Sequence, residues 1–131
     1  MQYTLLIYAD ETAGADAPPE LQKQVMDEYR AYGAWLAEKG IKRAGEALHD
    51  TSQATTVRVR DGDGMTTDGP FAETKEQLGG FYLIECADLD EALEWAKKVP
   101  IRPGGSIEVR PAMDFTELGY TDPYAEAAKT S

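Results

Sequence analysis

Few side chains in this 131-residue chain are equipped for covalent or acid–base chemistry, since it holds one histidine, His49, and one cysteine, Cys86. His49 has the only side chain whose unperturbed titration falls near neutrality. It ends a predicted strand, where loops gather around pockets, but with Asp50 beside it the same residue also reads as a solvated strand end. Cys86 sits in the apolar run FYLIEC, which reads as small core filler, because a reactive thiol needs an electropositive and partly exposed setting. A single cysteine excludes a disulfide framework, and no Cys/His spacing suits zinc. Asp61-Gly62-Asp63-Gly64 resembles part of a calcium loop but lacks the downstream glutamate and flanking helices. It reads as a turn, and neither a metal nor an organic cofactor is expected.

The densest chemistry lies between Asp68 and Glu76, in the string DGPFAETKE. Asp68-Gly69-Pro70 is turn chemistry, in which Asp can bond the backbone ahead of it and Gly69 relieves the restriction that the following proline imposes. The functional reading hangs Asp68 and Phe71 over the mouth of a cleft. Glu73, Lys75 and Glu76 then supply two carboxylates and an ammonium for general acid–base work. A surface segment that salt-bridges to itself has the same composition. The candidates are therefore Asp68, His49 and Lys75 as catalytic groups, with Phe71, Glu73, Arg58 and Arg110 as ligand-binding groups. Arg58 and Arg110 alternate with apolar residues on their strands, so they line a polar cavity or form a solvated face according to which side they take.

These residues need elements to hold them. Tyr3 to Ala9 (YTLLIYA) and Gly79 to Cys86 (GGFYLIEC) are strands apolar at both parities, as expected of strands covered on both faces. Asp10 to Ala17 reads as a loop. Pro18-Pro19-Glu20 opens a helix whose apolar positions Leu21, Val25, Tyr29, Tyr32 and Leu36 form one stripe, closed by Gly40. Ile41 to His49 is a polar-rich edge strand, and Ala54 to Arg60 returns through DGDG into Met65 to Thr67 as a hairpin. A second helix runs from Leu89 to about Val99, capped by Asp88 and Glu91, with Leu89, Ala92, Leu93 and Ala96 inside. Ser106 to Met113 is a last edge strand.

The order of strands and helices predicts an α+β fold: a ferredoxin-like split β-α-β antiparallel sheet with both helices on one face and an inserted hairpin. The two doubly apolar strands are central in that topology. Residues 1–114 form the domain and residues 115–131 a C-terminal tail, whose Phe115, Leu118, Tyr120 and Tyr124 predict packing on the body or on a partner subunit. Helices on one face leave the apolar side chains of the other face bare, which predicts a homodimer packed sheet to sheet. The net charge of -11 without a basic stripe argues against binding nucleic acid or anionic lipid. The chain has no apolar run of membrane length and no signal-peptide start, so it reads as cytoplasmic.

The run from Asp68 to Gly80 followed by an apolar strand, together with YTLLIYADE, TTVRVRDG and SIEVRPAM, resembles the YCII-related family in its DGPF-motif branch over almost all of residues 1–114. The resemblance implies a dimeric α+β barrel, a cleft between sheet and helices, and no assigned activity. It also implies the genomic company of extracytoplasmic-function sigma factors. Enzyme-like readings of the wider family pair a first-helix histidine with an aspartate of the loop before the central strand. Asp68 stands at the aspartate's place, but the helix beginning PPELQKQ holds no histidine. Two functions are therefore expected: cofactor-independent acid–base chemistry or binding of a small molecule near this loop, or a regulatory interaction module, associated with a sigma factor.

Overall fold

The computed structural model describes residues 1–70, 72 and 74–121. Strand β1 (Gln2–Ala9) is followed by a short helix α1 (Glu11–Ala15) and the long helix α2 (Pro19–Glu38). Strands β2 (Lys42–Ala47), β3 (Thr55–Arg60), β4 (Asp63–Asp68) and β5 (Gln77–Glu85) precede helix α3 (Leu89–Ala96) and strand β6 (Ser106–Pro111). A single 3-10 turn spans Thr51–Gln53. Four strands make one antiparallel sheet in the order β2-β5-β1-β6, and β3 and β4 make a separate two-stranded sheet.

Alternation along β1 and β5 sorts the side chains. Tyr3, Leu5 and Ile7 of β1 and Tyr82 and Ile84 of β5 are buried on one face, against Tyr32 and Leu36 of α2 and Ala92 and Ala96 of α3. Both helices therefore cover the same face. Leu5, Leu36 and Ile84 are fully enclosed, each stabilising the fold by roughly 1.5–3 kcal/mol relative to exposure. An aromatic cluster joins the layers: Tyr32 meets Tyr82 edge-on at 5.2 Å and Trp35 meets Trp95 at 4.9 Å. The Tyr32 hydroxyl donates to the Trp95 carbonyl at 2.7 Å, which ties α2 to α3. The inner pair of strands is the doubly apolar pair, as the pattern predicts.

On the other face the register lines up Glu46, Phe81, Leu6 and Glu108 in one row and Ala44, Leu83, Thr4 and Arg110 in the next. Leu6, Phe81 and Leu83 are half-buried there while Ala44 is exposed, and among the described residues no helix or strand lies over them.

The barrel expected from the resemblance does not form. Neither sheet closes: the larger one ends at β2 and β6, and the hairpin stays apart as its own sheet. Four strands cannot curve far enough to meet themselves, since small barrels need about eight. The ferredoxin-like split β-α-β assignment is corrected with it. The chain is an α+β domain with two open sheets, and its hairpin is not inserted into the main one.

Smaller differences have local causes. The segment after β1 is helical, because Asp10 accepts from the backbone of Thr12 and Ala13 and so caps α1. The hairpin turn is Asp61-Gly62 with both φ positive, at 52° and 84°, so β4 begins at Asp63 rather than Met65. Such a two-residue turn matches the strand twist. In α3, Ala92 and Ala96 face the sheet while Leu89 and Leu93 stay exposed. Phe115 and Tyr120 of the tail are exposed and meet edge-on at 6.0 Å. Tyr124 lies outside the described residues.

Candidate functional site

One end of the larger sheet gathers the loops. There β1 runs into α1, β2 into the 3-10 turn, and the segments before β5 and β6 arrive. A chain of hydrogen bonds joins them. The Glu11 carboxylate accepts from the Thr51 backbone at 2.9 Å and from its hydroxyl at 2.7 Å. The Glu11 N–H donates to Gln77 Oε1 at 3.1 Å, and Gln77 Nε2 donates to the Thr74 carbonyl. Thr74 Oγ1 donates to the Glu76 carbonyl, and Glu76 Oε1 accepts from Ser106 Oγ at 3.2 Å. Each bond is between residues far apart in sequence or across a tight loop, so the set fixes the loops relative to one another. An open groove of about 480 Å³ lies beside it, lined by Thr74, Lys75, Glu76 and Gly104.

Of the candidates read from sequence, Lys75 lies in this groove, exposed, and among the described residues it has no ion pair. Asp68 is the last residue of β4, opposite Thr55, and is exposed. The turn after it is held by backbone: Gly69 N–H donates to the Ala54 carbonyl at 2.6 Å, and the Gly69 carbonyl accepts from Thr56 Oγ1 at 2.7 Å. Gly69 has φ 101°, a conformation for which glycine is required. The Asp68 side chain takes no part in these bonds. His49 is exposed between Leu48, which donates to the Gly79 carbonyl at 2.9 Å, and Asp50, which accepts from Ser52 instead.

The register places the two arginines on other strands. Arg58 lies in mid-hairpin opposite Met65. By alternation it occupies the hairpin face opposite to Asp68. Arg110 pairs with Glu108 on β6, four residues or about 13 Å along the strand from Ser106. Phe71 and Glu73 lie outside the described residues. The sequence reading did not single out Glu11, Thr51, Gln77 or Ser106. The Asp-Glu pair directly after a strand was the one available sign, as a cap and first-turn acid of a short helix.

Burial acts on groups away from this end. It raises the Tyr32, Tyr29 and Tyr82 hydroxyls and the Cys86 thiol above their ordinary ranges. An inert, protonated thiol suits core filler. Among the described residues no group of histidine, cysteine and carboxylate side chains could hold a metal ion, and no helix is long and apolar enough to cross a membrane.

A small α+β domain with helices on one sheet face and a polar loop cluster at one end fits many proteins, and sequence comparison narrows the class. Residues 1–116 match the YCII-related domain, and the chain belongs to that family. It is also similar to an uncharacterized protein of Rhizobium meliloti (strain 1021), 43% identical over 113 residues, covering 85% of this chain and 91% of the relative.

Proposed function

We propose that the domain binds a small anionic molecule in the groove lined by Thr74, Lys75, Glu76 and Gly104. The observation that carries this reading is Lys75. It presents an ammonium without an ion pair among the described residues, at the edge of a groove of about 480 Å³, on a chain of net charge -11. A cation kept clear in so acidic a protein is suited to a carboxylate or phosphate group of a ligand. The hydrogen-bonded Thr74, Glu76 and Ser106 give the groove a fixed wall.

The test is a thermal-shift screen with inorganic phosphate and small carboxylic acids. Binding to the native state alone raises apparent stability. At least one probe should raise the melting temperature of the wild type and leave Lys75→Met unmoved. A screen without any shift, or equal shifts in both proteins, overturns the reading.

A second reading, an interaction module, is favoured by the hairpin valines Val57 and Val59, which are 64% and 71% exposed. Under it the bare sheet face meets a second copy, and the sigma factor implied by the family resemblance is the candidate heterologous partner. A mass twice that of the chain by light scattering supports the homodimer.

A further inference from the structure

The chain holds no asparagine, but it holds three Asp-Gly pairs within one short stretch: Asp61-Gly62, Asp63-Gly64 and Asp68-Gly69. An Asp-Gly pair can modify itself. Glycine has no Cβ to crowd its nitrogen and leaves the backbone free to turn, so that nitrogen can attack the side-chain carboxyl of the aspartate before it. The nitrogen bonds to Cγ of the protonated carboxyl and loses its proton, and the carboxyl hydroxyl leaves with that proton as water, closing a succinimide ring. Solvent water then opens the ring at either carbonyl. Opening at the backbone carbonyl yields isoaspartate, whose chain runs through Cβ and Cγ and whose α-carboxylate is free. Mass is unchanged, and nothing is oxidised or reduced.

The fold treats the three pairs differently. Gly69 is tied on both sides: its N–H donates to the Ala54 carbonyl at 2.6 Å and its carbonyl accepts from Thr56 Oγ1 at 2.7 Å. Asp63 and Gly64 lie within the β3–β4 ladder, opposite Arg60 and Val59, which keeps the Asp63 backbone extended. Asp61 and Gly62 lie beyond the last ladder pair, exposed at the tip of the hairpin. Among the described residues neither the Asp61 carboxylate nor the Gly62 N–H has a hydrogen-bond partner. Asp61 is also the one described non-glycine residue with positive φ, at 52°, a conformation L residues adopt rarely. Carrying the chain through Cβ removes that constraint.

We infer that Asp61 is a site of spontaneous isoaspartate formation in the folded protein, chosen among the three Asp-Gly pairs by its place outside the ladder. The modification has a local consequence. It adds a methylene to a two-residue turn whose geometry matches the twist of its strands, so it loosens the Arg60–Asp63 end of the hairpin. The larger sheet shares no strand pairing with β3 and β4 and keeps its register.

The test incubates the full chain at neutral pH and physiological temperature, folded and in urea. Electron-transfer fragmentation of its peptides locates isoaspartate, and methyl transfer from S-adenosylmethionine by an isoaspartyl methyltransferase measures the total. In the folded chain the product at Asp61 should exceed that at Asp63 and at Asp68 severalfold, and in urea the three should converge, because the ladder and the Gly69 bonds are gone. The single variants Asp61→Asn, Asp63→Asn and Asp68→Asn give a faster reading. Each is isosteric at an exposed position, and asparagine closes the same ring with loss of ammonia, which a mass change reports. Asp61→Asn should convert first when folded. Product at Asp63 or Asp68 equal to that at Asp61 in the folded chain overturns the inference, as does the same ratio folded and in urea, or no isoaspartate in the folded chain and no conversion of folded Asp61→Asn.

Discussion

Tyr32 is the side chain whose replacement tests the packing most directly. Tyr32→Phe keeps the ring, with its contacts to Tyr82 at 5.2 Å and Trp35 at 5.9 Å, and deletes the hydroxyl that donates to the Trp95 carbonyl at 2.7 Å. The carbonyl loses a partner in a half-buried place, so the variant should be about 1–2 kcal/mol less stable at neutral pH. The alkaline side separates this from a generic loss. Burial holds the native Tyr32 hydroxyl protonated above its ordinary range, whereas the unfolded chain ionises it near about pH 10. Its contribution is therefore complete below about pH 10 and is lost as pH rises, at up to about 1.4 kcal/mol per pH unit. Phenylalanine does not ionise. Urea unfolding should show the variant weaker at pH 7 and the gap closing within about one pH unit above 10. Tyr29 and Tyr82, raised by the same cause, remain in both proteins and cancel in the difference. A gap constant through pH 11, or no gap at neutral pH, refutes the reasoning.

Gly80→Ala should be among the most damaging small substitutions. Its Cβ would stand 2.8 Å from the Glu46 carbonyl oxygen, backbone that can yield only by parting β2 from β5, so a loss of about 2 kcal/mol or more is expected in chemical denaturation. Asp88→Ala removes the side chain that accepts from the Glu91 N–H at 2.9 Å at the start of α3 and should cost about 1 kcal/mol by the same measurement. Asp68→Ala, by contrast, should change stability by less than about 0.5 kcal/mol, because backbone and not the carboxylate holds the following turn. A larger loss would assign Asp68 a structural bond absent from this arrangement.

The sequence by itself determined the elements and the inner strands. Apolar residues at both parities in Tyr3 to Ala9 and Phe81 to Cys86 mark the two central strands, because only strands flanked on both sides surround such residues with neighbours. The stripe of five residues from Leu21 to Leu36 marks the sheet-facing side of α2, although Leu21 at its start stays exposed, and the Asp88 and Glu91 cap begins α3 where expected. The fold class read from that order went too far. The order of elements along the chain is set by local sequence, but which strands pair, whether a sheet closes, and whether a hairpin joins it depend on how distant segments meet. Here the hairpin's own turn bonds hold it as a separate ribbon, and its alternating valines and arginines suit either arrangement. The loop end was legible only as composition. Lys75 and Thr74 reach one groove because Gln77, Glu11, Thr51 and Ser106, from four separate segments, are hydrogen-bonded into one chain. Neither spacing nor residue type reveals such convergence, since each of those side chains alone is an ordinary surface polar group. Tertiary structure alone decided which of them face one another.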